Sequence, residues 1–230
     1  MVDRSFLQLM CSYPMDNNTV AYICTQQMAQ EEAEKFIEAY EKNVSDAVTI
    51  LTFIGPGPAR ASQAHRMIKA AQKNHLDDLK RRSKFSPPCT SGCSFCCHCR
   101  VDICKSEADL LVLGIKNSGI MIDWERVQIQ ARRPETDYFH HIMGKDNRCA
   151  LLGEDNLCRV YDYRPSACIE HIAASDPSGC DMTKIKDKAY VYVAETRAIS
   201  TALAMVMEGD TIIDLPTALL ERRSEICQDT

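Results

Sequence analysis

Ten of the thirteen cysteines in this 230-residue chain fall between Cys89 and Cys180, in two spaced groups. The first is Cys89, Cys93, Cys96 and Cys97 in the run CTSGCSFCC, with Cys99 and Cys104 close behind; the second is Cys149, Cys158, Cys168 and Cys180. A chain of this length buries an ordinary core without staples, so the cysteines are not there to rescue a small fold. The N-terminal run MVDRSFLQLMCSYPMDNN lacks a basic segment followed by a long apolar one. Nothing later approaches the roughly 18 apolar residues of a membrane span. A cytoplasmic protein is therefore expected, and in the reducing cytosol clustered cysteines serve metal binding or catalysis rather than disulfides.

Isolated cysteine behaves as a small buried hydrophobe, which suffices for Cys11, Cys24 and Cys227, far in sequence from the others. It does not suffice for eight cysteines in two groups. On a helix Cys89, Cys93, Cys96 and Cys97 share one face, and on a tight loop they also converge; Ser91-Gly92 favours a loop over the first turn. Adjacent Cys96 and Cys97 diverge in most backbone conformations, so they serve different metal atoms or only one of them ligates. The strip CALL, GEDN, LCRV reads as a hairpin with its turn at Gly153 to Asn156, bringing Cys149 and Cys158 across from one another or nearly so. Thiolate is a soft ligand that suits zinc and iron-sulfur iron, and four sulfurs satisfy either. Four thiolates around zinc, or around an oxidised 4Fe–4S cluster, leave about two negative charges, which Arg159 and Arg164 can offset. A surface salt bridge explains Arg164 equally well. His98 and His171 lie near the expected ligands, and Cys99 and Cys104 are as readily neighbours of the metal as ligands to it. His140 and His141 have weaker claims.

Around this insert the chain reads as helix. From about Asn18 to Lys84, Ile23, Met28, Ala33, Phe36, Ile37, Tyr40 and Val44 recur at helical steps, interrupted by Gly55-Pro56-Gly57-Pro58. The run KRRSK before Pro87-Pro88 reads as a solvated helix end. Val101-Asp102-Ile103 suits a short strand, and Ser106 with Glu107 and Asp109 the capped start of a helix through Leu113. Helix returns from about Lys184 to Met207 and again after Asp214 and Pro216. The expected fold is mainly α with a small cysteine-rich α+β metal-binding insert: a helical region over 1–85, the cysteine module over 86–182, and a helical region over 183–230 packing on the rest. Hydrophobic residues at 45% and charged residues at 26% are globular values, and a net charge of −5 with pI near 5.7 favours neither nucleic acid nor anionic membrane as partner. The one partner the sequence names is a metal ion or cluster.

CTSGCSFCC, CALLGEDNLC and RVYDYRPSAC, in that order, resemble the cysteine-cluster family of zinc- or iron-chelating proteins, labelled YkgJ-type or by the motif CxxCxxCC. The resemblance covers roughly Ser86 to Cys180 and carries Cys89, Cys93, Cys96, Cys97, Cys149, Cys158, Arg164, Pro165 and Cys168, with Cys180 as the trailing cysteine. Three residues, not the family's two, separate Cys89 from Cys93. It implies metal binding, older labels calling members iron-sulfur oxidoreductases; a related pattern in flagellin lysine methylases implies that the module can sit inside a methyl-transferring enzyme. No glycine-rich nucleotide loop follows a strand here, so that activity is not carried over. The three-then-two spacing of Cys89, Cys93 and Cys96 also matches radical S-adenosylmethionine enzymes, but too few strands follow for their barrel. Two readings remain, an iron-sulfur protein and a structural or chelated zinc site in an interaction protein. Eight grouped cysteines with a vicinal pair exceed one structural zinc and lack the regular CxxC pairing of two, which favours iron. Whether the chain is an enzyme stays open.

Overall fold

The computed structural model describes residues 30–133, 147–180, 191, 193–206 and 212–227. Ile23, Met28, Cys11, Cys24, His140, His141 and residues 184–190 lie outside the described residues. The architecture is mainly helical, with one two-stranded sheet. No described helix is long and apolar enough to cross a membrane.

Helix α1 spans Gln30–Thr52. Tyr40, Ala47 and Leu51 form its buried stripe. That stripe packs on helix α6, Ala194–Met205, where the Tyr40 hydroxyl donates to Thr201 Oγ1 at 2.9 Å. The expected break falls at Gly55-Pro56-Gly57. Gly57 adopts φ of +106°, a conformation natural only to glycine, and Pro58 occupies the start of helix α2, Pro58–Ser83, where a missing N–H costs nothing. The basic run at the end of α2 is solvated, with Arg81 and Arg82 both leaning on Asp78.

Strand β1, Asp102–Ile103, leads into helix α3, Lys105–Ser118. The cap expected at Ser106 falls earlier. Cys104 is the N-cap: its sulfur accepts from the Glu107 backbone N–H, and the Glu107 carboxylate accepts from the Cys104 N–H at 3.3 Å. Ser106 instead accepts from the Gly57 N–H at 3.0 Å, tying α3 to the α1–α2 break. The helix also runs past Leu113, because Leu111 and Ile115 are both buried and hold the extra turn against the core. Helix α4, Trp124–Ala131, starts on an Asp123 cap. Helix α5, Ser166–Glu170, is short. Helix α6 begins at Ala194 after an extended Val193, and the Val191 N–H donates to the Ile172 carbonyl at 3.0 Å; the expected helical start near Lys184 lies outside the described residues. Strand β2, Ile213–Asp214, pairs antiparallel with β1, Ile213 opposite Ile103. Helix α7, Leu215–Glu221, opens on Asp214 and Pro216 as the sequence expects, and α8, Arg223–Cys227, closes the described chain.

Two apolar clusters stand out among the described residues. One joins Leu111 and Ile115 of α3 to Val127, Leu151, Val160, Leu219 and Ile226. The other joins Leu51 of α1, Ile68 of α2, Ile169 of α5 and Leu203 of α6, with Cys104 among them. The first turn of α3 lies where the two meet. Gly114, further along α3, faces Tyr163: a Cβ there would stand 2.6 Å from the Tyr163 Cβ, too close for either backbone to tolerate. Gly114→Ala should therefore destabilise the chain, since overpacking of about 1–3 kcal/mol outweighs a helix-propensity gain of about 1 kcal/mol. Thermal unfolding checks this, and an unchanged or raised Tm would show that Tyr163 yields freely.

Candidate metal centre

The first cysteine group is a loop, as Ser91-Gly92 suggested. Cys93 N–H donates to Thr90 O at 3.0 Å and Gly92 sits at φ +86°, a turn that needs glycine at its third position. A 3₁₀ turn over Phe95–His98 follows, in which successive side chains diverge by about 120°, so Cys96 and Cys97 part company. The backbone of Cys97 joins the two groups, its carbonyl accepting the Cys149 N–H at 2.8 Å.

The hairpin forms with its turn where expected. Asn156 N–H donates to Gly153 O at 2.9 Å, and Gly153 N–H to Leu157 O at 2.9 Å. Its register, however, sets Leu152 opposite Cys158; Cys149 lies one turn upstream, where its carbonyl accepts the Leu152 N–H at 3.0 Å. The two cysteines are therefore neighbours around a bend rather than cross-strand partners. A 3₁₀ turn at Tyr161–Tyr163 then delivers Arg164 and Pro165, and the Pro165 carbonyl accepts the Cys168 N–H at 3.0 Å as α5 begins. The last turn, Pro177–Cys180, contacts the one at Phe95–His98.

All eight expected cysteines and Arg164 line one cavity of about 550 Å³, joined by Cys99 and His171. Cys104 does not reach it; the sulfur is occupied as a helix cap and buried in the core. Cys227 is exposed on α8, and His98 Nδ1 lies 3.1 Å from Ser94 O. Arg159 pairs with Asp155 on the surface at 3.0 Å, so its part in offsetting thiolate charge falls to Arg164. The Arg164 guanidinium stacks over the Tyr161 ring at 4.1 Å, and its Nε is buried with no hydrogen-bond partner among the described residues.

Electrostatics single out four of the thiols. Burial, and then the neighbouring Cys158 and Cys96, push the Cys149 thiol up to about 11. Burial, then Cys96, Cys149 and Cys158, hold Cys168 well above the ordinary thiol range, against a lowering pull from Arg164. Cys158 is raised by burial and by Cys96, again opposed by Arg164. Cys93 is raised by burial and then by Cys89. Cys96, Cys149, Cys158 and Cys168 thus sense one another across three stretches of chain. As thiolates they would repel strongly, and a soft cation is what makes such a set tolerable. Among the described residues no three His, Cys, Asp or Glu side chains form a finished metal cage; the thiols share a cavity without being drawn onto one point. The donor chemistry nevertheless fits zinc or iron, and it does not fit a hard cation.

Glu107, which the sequence marks only as part of a helix start, forms a buried pair with Ser166 that anchors α5; a lone glutamate three residues after Cys104 gives no signal beyond a cap. Because the raised thiols hold their protons near neutral pH, metal uptake must displace them. Zinc affinity should rise between about pH 6 and pH 8, close to tenfold per unit for each net proton released, and flatten only above the thiols' own titration. Chelator competition across pH measures the slope, and a flat profile would remove the raised thiols from the ligand set.

Residues 88–196 match the family model CxxCxxCC, described as "Putative zinc- or iron-chelating domain". No curated protein and no solved structure matches the chain. Over residues 88–196, then, the chain is similar to the CxxCxxCC cysteine-cluster family, described as a zinc- or iron-chelating domain.

Proposed function

We propose that the chain holds an iron-sulfur cluster, with 4Fe–4S favoured, at the cysteine-lined cavity. The observation that carries this reading is a single cavity whose wall takes thiols from separate stretches of the chain, Cys96, Cys149, Cys158 and Cys168 among them. Those four thiols are the inner ligands of the proposal. Cys89, Cys93, Cys97 and Cys180 line the same cavity and complete the donor set. An iron-sulfur cluster there supplies one-electron transfer. Arg164, kept beside Cys158 and Cys168 by its stacking on Tyr161, offsets thiolate charge. Free thiols in this number suit a reducing compartment such as the cytoplasm. The module over 86–182 then serves as the metal-binding part of the chain, flanked by helices from both sides.

Zinc is the second reading, because four sulfurs also satisfy a tetrahedral structural site. A cavity of about 550 Å³ with more than four thiols on its wall exceeds what one zinc ion needs, and this favours the cluster. Anaerobic purification followed by metal and sulfide analysis and a visible absorbance scan separates the two. The expected result is a brown protein with iron and acid-labile sulfide; zinc with no visible band would overturn the iron reading. In the same preparation Cys158→Ser should lose most of the metal while Cys227→Ser keeps it, and equal metal in both would exclude Cys158 as a ligand.

A further inference from the structure

Glu107 is 1% exposed and does not line the cavity, yet its carboxylate gathers donors from two other helices and from the N-cap of its own. Oε1 accepts from the Ser166 N–H at 2.7 Å, from the Ser166 hydroxyl at 2.5 Å and from His65 Nε2 at 3.0 Å. Oε2 accepts from the Cys104 N–H at 3.3 Å. Ser166 is the first residue of α5, two residues before Cys168. Helix α5 has only five residues, and Pro165 ahead of it offers no side-chain cap. So short a helix has no stability of its own, and its first N–H groups need acceptors from elsewhere. Glu107 supplies that acceptor. At the other end of α5, Glu170 is held by Arg197 at 3.2 Å and by the Ser200 hydroxyl, and Ile169 is buried in the second apolar cluster.

We propose that Glu107 is the positioning residue for Cys168, a buried anionic clamp that takes the place of a helix cap on α5 and fixes this thiol on the cavity wall. The inference rests on the metal-binding reading above. An isolated buried carboxylate is costly, and four donors converging on one side chain at the start of the ligand-bearing helix give that cost a function.

The test is a double-mutant cycle in the full chain, with Glu107→Gln and Cys168→Ser separately and together, read as zinc affinity by chelator competition. Cobalt(II) loading adds the intensity of the thiolate charge-transfer band, which counts bound sulfurs. Glutamine keeps the size of the side chain, so folding survives where Glu107→Ala fails. In the parent background Glu107→Gln should weaken zinc binding about 10–100-fold, the usual cost of losing a group that orients a ligand, and lower the cobalt band by one sulfur's share. In the Cys168→Ser background the same change should alter affinity less than about twofold, because its target is gone. Parent-like binding by Glu107→Gln, or an equal loss in both backgrounds, would overturn the positioning role while leaving metal binding intact. A parent chain that takes up neither zinc nor cobalt would sink the metal reading and this inference together.

Discussion

The satisfied burial of one carboxylate organises this molecule. Glu107 lies in the first turn of α3, where the two apolar clusters meet, and burial alone pushes its carboxyl up. The contacts with His65 and Ser166 outweigh that effect and keep it below the usual glutamate value. An ionised carboxylate only accepts, so His65 donates to it through Nε2. From it α2, α3 and α5 take their relative positions. Without it, donors on three segments would be left buried and unpaired, a more expensive defect than loss of one favourable contact.

The cysteine loops depend on this frame because they contain little regular structure. A turn at Gly92, single bridge pairing at Leu152 and Cys158, and 3₁₀ turns at Phe95–His98 and Tyr161–Tyr163 are not self-supporting elements. They are stapled by single hydrogen bonds such as the one between Cys149 and Cys97, and by the close approach of Tyr163 to Gly114. A region built this way arranges sulfur around a cavity while leaving the final adjustment to whatever enters it.

Much of this was legible in the chain. The Gly-Pro break, the Pro216 helix start and the GEDN turn are local chemistry, decided by backbone freedoms that one or two residues control. The grouping of the thiols was legible too, since count and spacing alone set it apart from buried hydrophobes. What resisted reading was anything decided by distant partners. Cys104 and Cys99 look alike in sequence, yet one caps α3 and the other faces the cavity, because the capping box depends on a helix start that Ser106 seemed to claim. Residue by residue, Arg164 and Arg159 were equally good counter-charges; the pairing of Arg159 with Asp155 across the hairpin turn removes one of them.

The engagement of Cys104 as a cap bears on how the thiols of this protein are counted. Cys104 is 1% exposed and its sulfur already accepts a backbone hydrogen bond, so a reagent applied to the native chain cannot reach it whether or not any ion is present. A native titration that falls short of the full complement is thus built into the packing, and only the difference between chelated and loaded samples reports on coordination.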